Sequence, residues 1–195
     1  VSPALFRAAL LAALIVLLAA CAGTGGRLQS AGAATVFDMA LDTDLDWARV
    51  KSRRQELWTI DGAPLNQLSI FSKVRPGEHV FLGSRERRAR PDGPWFRAGM
   101  RPDEVRDVML DALRGAGWSQ VESEKLRPAS FGGVPGLRFE LSMANGRGLR
   151  YRGMAAAAER QGHLTVLVWV APEEHYYGRD AAAVDRMFSS LRFVR

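Results

Sequence analysis

The sequence predicts an α+β domain in which an antiparallel sheet carries two main helices packed on one face. Three observations predict it. Leu137, Phe139, Leu141 and Met143 alternate with Arg138, Glu140 and Ser142, the period of two that marks a strand with one buried face. Turn signals at Asn145-Gly146 and Gln161-Gly162 join this strand to its successors, and such tight turns connect antiparallel neighbours. Two other segments space their apolar residues as helices do: Val105, Val108, Met109, Ala112 and Leu113 in one, Val184, Met187, Phe188 and Leu191 in the other. Early strands, a helix, a meander of strands and a final helix make an α+β order.

The elements follow in sequence. Ala22 to Ala34 is small and polar, with Gly23, Gly25, Gly26 and Gly32, and reads as a flexible tether, so that residues 21–34 precede a single domain at 35–195. Asp38, Asp42, Asp44 and Asp46 invite a calcium reading. An EF-hand loop begun at Asp42 needs glycine at its sixth position and glutamate at its twelfth; Trp47 and Arg53 stand there. A solvated lead-in with a helix cap is expected instead. Leu57 to Ile60 has the aromatic and β-branched residues of a strand, Asp61-Gly62 turns it, and Leu65 to Phe71 returns. His79 to Leu82 is a further short strand candidate. Pro102 suits a first helical position, with Asp103 and Glu104 against the positive end of the helix dipole and Gly115 and Gly117 to end it. Arg101 falls where a capping oxygen is preferred.

Trp118 to Leu126 reads as a strand without clean alternation. Phe131 to Gly136 is a glycine-rich turn that lacks the lysine of a phosphate loop and the spacing of a dinucleotide fingerprint. After Asn145-Gly146, Leu149, Tyr151 and Gly153 share one strand face. The end of that strand is undefined, because Ala155 to Ala158 has poor strand propensity. His163 to Ala171 differs from the others. Leu164, Val166, Val168 and Val170 take one face while Leu167 and Trp169 take the other, the pattern of a central strand. With both helices on one side, a loop, the N-terminal segment or a ligand must shelter Trp169. The last helix is expected from near Asp180 to about Leu191, and Arg192 to Arg195 as an edge strand.

Charge narrows the partners. The formal net charge is +6 over 195 residues. Gly83 to Pro94 concentrates Arg85, Arg87, Arg88 and Arg90 against only Glu86 and Asp92, and reads as a mobile basic loop that either solvates or meets an acidic surface. His79, His163 and His175 lie on separate segments, so no metal-ligand spacing exists and no metal or other cofactor is expected. There is no serine nucleophile elbow and no zinc-protease pair. Glu173, Glu174, His175, Tyr176 and Tyr177 form the most polar and aromatic cluster. Trp169, His175 and Tyr177 are candidate binding residues if they line one pocket; the cluster equally suits a loop leading into the last helix.

Residues 1–20 have the shape of a secretory signal: Arg7, an apolar run from Ala8 to Ala20, and small residues at its end. The run is shorter than the roughly 20 residues of a membrane-spanning helix. Leu18-Ala19-Ala20-Cys21 resembles the lipobox of bacterial lipoproteins, and Cys21 is the only cysteine in the chain. The resemblance implies cleavage before Cys21 and its lipidation; Ala22 after it favours the outer membrane, facing the periplasm. An ordinary signal with an incidental cysteine, or an uncleaved anchor, are the alternatives. An exported basic protein meets lipid headgroups, envelope polysaccharides or acidic proteins rather than nucleic acid.

The glycine turn before an alternating strand, the two strands that follow and a terminal helix ending Ser189-Ser190-Leu191 resemble the Mog1/PsbP-like group over roughly Trp47 to Val194. The resemblance implies an antiparallel sheet flanked by helices and a non-catalytic binding or assembly role with a protein partner. An envelope hydrolase using Glu173 or Glu174 with His175 is the alternative.

Overall fold

The computed structural model describes residues 26–89 and 91–194. Its elements are β1 (Gly26–Gln29), β2 (Gly32–Val36), β3 (Met39–Thr43), β4 (Trp47–Lys51), β5 (Gln55–Thr59), β6 (Gln67–Val74), α1 (Pro102–Gly115), β7 (Ser119–Phe131), β8 (Val134–Ala144), β9 (Arg150–Arg160), β10 (His163–Pro172), α2 (Gly178–Ser189) and β11 (Arg192–Phe193). Eight strands form one sheet in the order β1-β4-β5-β6-β10-β9-β8-β7, and β11-β3-β2 form a small second sheet. Every pairing is antiparallel.

The two helices lie on opposite faces of the large sheet, not on one. Val105, Met109 and Leu113 of α1 pack with Leu137, Phe139, Leu141, Val166 and Val168. Val184, Met187 and Phe188 of α2 pack with Trp58, Leu68, Leu167 and Trp169, beneath β2 and β3. The cause is the doubly apolar β10. Helices on one side alone would leave Leu167, Trp169 and Ala171 in water, and burying a large apolar side chain contributes roughly 1.5–3 kcal/mol. Connectivity agrees: the chain crosses one face between β6 and β7, carrying α1, and turns to the other face after β10 through a single π-helical turn, Glu173–Tyr177.

The tether reading is corrected. β1 and β2 begin at Gly26 and Gly32, inside the stretch read as tether, and Ala34 and Val36 are core residues. Small residues fit because the β2–β3 ribbon lies close over Trp47 and Trp58. The aspartate stretch likewise caps no helix: Asp38 lies in the β2–β3 turn, Asp42 in β3, and Asp44 and Asp46 in the β3–β4 connection. Its acids hold the far end of the chain: Asp42 pairs with Arg192 at 3.1 Å and Asp44 with Arg186 at 2.8 Å. β9 runs through its alanines to Arg160. Ala155 and Ala157 face one cluster, Ala156 and Ala158 the other, each small side chain filling space left by larger neighbours on β8 and β10. Propensity yields there to packing.

β7 extends past Leu126 to Phe131 with two register shifts, and Gln120 and Lys125 adopt positive φ of 50° and 53°. Those bulges, with Glu122, Glu124, Lys125 and Pro128, interrupt an edge that would otherwise template further pairing. Arg101 does not weaken the start of α1, because the Glu104 carboxylate accepts its amide at 2.8 Å, half of a capping box.

Candidate functional site

The basic loop between β6 and α1 is pinned rather than mobile. Val80 and Phe96, both fully buried, plug it into the α1-side core. Backbone bonds close it at several levels: Phe96 N–H donates to Glu78 O at 2.9 Å, Glu86 N–H to Gly77 O at 2.8 Å, and His79 N–H to Ser84 O at 3.0 Å. His79 to Leu82 forms no strand, only isolated bridges, Glu78 to Arg85 and His79 to Trp95. The Arg54 guanidinium donates to both oxygens of the buried Glu78 carboxylate at 2.6 and 3.1 Å and holds its pKa below the ordinary glutamate value. Glu86 is gripped by Arg97 at 2.9 Å.

That arrangement uses the loop's buried and half-buried acids and leaves its arginines free. Arg85, Arg87 and Arg88 are exposed and form no ion pair among the described residues. They line an open concavity of ≈ 920 Å³ with Gly77, Ser84, Glu86 and Pro91. Asp92 is exposed nearby. Arg90, the fourth candidate, and Cys21 lie outside the described residues. Exposed, unpaired guanidiniums on an anchored backbone are suited to carboxylate or phosphate groups, whose oxygens they can bridge.

Trp169, His175 and Tyr177 do not line a common pocket. Trp169 is fully buried. Its ring stacks on Tyr177 at 5.3 Å, and its indole N–H donates to Asn66 Oδ1 at 3.1 Å. Asn66 in turn donates to Asp180 at 2.6 Å, and Asp180 accepts from Arg179, which also pairs with Asp61. This buried chain fixes the π turn and α2 on the sheet. Tyr177 is half-buried, with Arg152 5.1 Å from its ring centre, and burial raises its pKa. His175 is exposed and meets Tyr176 edge-on at 5.1 Å. Glu173 pairs with Arg150 at 2.9 Å.

Sequence reasoning missed an apolar crevice of ≈ 210 Å³ on the α1 side. Phe71, Phe81, Leu113, Trp118, Val168 and Val170 line it, with Gln55, Gln67 and Ser69 at its polar border. It exists because α1 and the loop cover only part of that face, and beyond it Val50 and Leu28 are 51% and 74% exposed. The crevice residues come from β5, β6, α1, β10 and the two connections that flank α1, so no local pattern could assemble them. Among the described residues no group of three His, Cys, Asp or Glu converges, and no helix is long and apolar enough to cross a membrane.

No protein-family model matches the chain, and no curated protein matches it in sequence. Solved structures do. The cyanobacterial PsbP protein of Synechocystis superposes with a TM-score of 0.56 at 13% identity, over 87% of this chain and 93% of that one. The Ran-binding protein Mog1p of Saccharomyces cerevisiae superposes with a TM-score of 0.50 at 8% identity, over 88% and 97% of the two chains. Large antiparallel sheet, flanking helices and full-length coverage agree: the chain has a Mog1/PsbP-like fold.

Proposed function

We propose that this protein is a non-catalytic binding or assembly factor, anchored through lipid on Cys21 to the bacterial cell envelope, at the outer membrane and facing the periplasm. One observation carries the binding role: Arg85, Arg87 and Arg88 are exposed and unpaired on a pinned loop, while acids beside them are engaged elsewhere. A loop that serves solubility alone needs no buried Val80 and Phe96 to anchor its backbone. The lipobox-like Leu18 to Cys21 supports the anchor, and a protein of this fold that binds another protein supports a protein partner. The hydrolase reading has less support. Among the described residues no acid pairs with His175, whose ring meets Tyr176, and Glu173 is occupied by Arg150.

Two measurements test the proposal. Intact mass of the mature protein is expected to show a chain beginning at Cys21 with acyl groups attached, and Cys21→Ala to lack both cut and lipid. An unmodified thiol, or a cut elsewhere, rejects the anchor. Retention on an immobilised acidic polymer at low salt is expected to fall strongly when Arg85, Arg87 and Arg88 become serine, because exposed charge attraction is screened over about 8 Å at physiological salt. Equal retention rejects the loop as the contact.

A further inference from the structure

We propose that the end of the large sheet bearing the arginine loop lies flat against anionic phospholipid headgroups of the membrane that holds the lipid. The inference rests on the anchor reading above and names the acidic surface.

Topology supplies the argument. β4 ends at Lys51, β5 begins at Gln55, β6 ends at Val74 and β10 begins at His163, so all four meet at one end of the sheet. β1 enters at that same end, with Gly26 opposite Val50. Four residues separate Cys21 from Gly26, five chain steps with a reach of at most ~18 Å when fully extended. A domain of this size is roughly 40 Å across by the scaling of compact chains. A leash shorter than the domain keeps the end carrying Gly26 nearest the bilayer.

That end is also where the unpaired cations collect. Arg53 sits in the β4–β5 turn, Lys73 and Arg75 at the close of β6, and Arg85, Arg87 and Arg88 in the loop. All six are exposed, and none forms an ion pair among the described residues. Most neighbouring acids are engaged: Glu78 by Arg54, Glu86 by Arg97, Glu56 by Arg49, and Asp38 faces Arg160 at 3.9 Å. Arginines away from this end are mostly neutralised, as Arg114, Arg150 and Arg186 are. A predominantly positive surface, in which Asp92 is the exposed acid of the loop, placed by its own leash against a headgroup layer gains about fivefold in membrane partition per cation. The arginine loop then acts as a second attachment that orients the domain, while the lipid holds it.

The test uses the chain from Ala22 onward, which lacks Cys21 but keeps every core side chain, since these lie between Ala34 and Leu191. It is floated with vesicles of phosphatidylcholine alone or with about one third phosphatidylglycerol. Wild type is compared with the triple variant Arg85→Ser, Arg87→Ser, Arg88→Ser. An equal charge loss at the other end of the sheet and α1, Arg114→Ser, Arg147→Ser, Arg150→Ser, is the control, and unchanged melting curves confirm that both variants fold. Expected are binding to the anionic vesicles only, its loss in high salt, at least a tenfold fall for the loop variant and retention in the control. No binding to anionic vesicles, or equal loss in both variants, overturns the proposal. So does loop-dependent capture by an acidic polymer without vesicle binding, an outcome that leaves the binding role standing. The mass of residue 21 is read on a separate preparation, so the anchor and the lipid contact fail independently.

Discussion

Aspartate placed at Val166 or at Val168 should have unequal consequences, although the two valines share one face of β10 and one core cluster. Val166 is fully buried, whereas Val168 also lines the ≈ 210 Å³ crevice. At either position the lost valine burial costs about 1.5 kcal/mol. At 166 the new carboxylate has no water and no donor, and a buried unpaired ion adds several kcal/mol even after relaxation. The sum is comparable to the whole stability of an ordinary domain, about 5–15 kcal/mol, so Val166→Asp should fail to fold. At 168 the crevice has room for several waters. Ser69 lies directly across the strand pair, and Gln67 already donates to its hydroxyl at 2.8 Å. There the total should be about 3 kcal/mol, a fall in Tm of roughly 6–12 °C for a domain this size. Thermal unfolding by circular dichroism reads both. A normal Tm for Val166→Asp would refute the core assignment, and equal collapse of Val168→Asp would show that the crevice is closed to water.

Further predictions concern the central strands, the buried polar chain and pH. A methyl added at Gly153 would stand 2.3 Å from the Trp169 carbonyl oxygen, so Gly153→Ala should destabilise by about 2 kcal/mol or more, while Gly146→Ala, which meets nothing, should be neutral in the same melt. Asp180→Ala strands the buried Asn66 amide and releases Arg179; a loss of about 3 kcal/mol is expected, with non-additive coupling to Asn66→Ala in a double-mutant cycle. Burial pushes the His79 pKa below its ordinary value of 6.5, and Nδ1 accepts the Phe81 amide at 3.1 Å. The unfolded chain therefore takes up the proton first as pH falls. The stability tied to a neutral His79 is complete above pH 6.5 and is lost on acidification toward the lowered native pKa. His79→Gln should flatten that part of a stability profile measured by urea unfolding.

Periodicity made much of the sheet legible. The alternation in β8, the doubly apolar β10 and the two helical stripes all correspond to observed elements, and Phe139, Leu141, Val166 and Val168 are buried as their pattern requires. Those signals are local: a side chain's face follows from its place in a turn of helix or a pleat of strand. The candidate site was legible only as composition. Charge density marked Arg85, Arg87 and Arg88, but their freedom depends on Arg54 and Arg97 engaging Glu78 and Glu86, partners 24 and 11 residues apart.

By itself the sequence determined the fold class, the strand faces, the excess of positive charge and the cysteine that follows a signal-like run. Tertiary structure decided which face each helix covers, that Gly26 to Val36 belongs to the sheets, that Trp169 is core, and that the start of β1 shares one end with the unpaired cations. The physical reason is range. Strand order pairs β6 with β10 across nearly a hundred residues, and burial of a doubly apolar strand is satisfied only by elements distant in sequence. No pattern confined to a short window contains either fact.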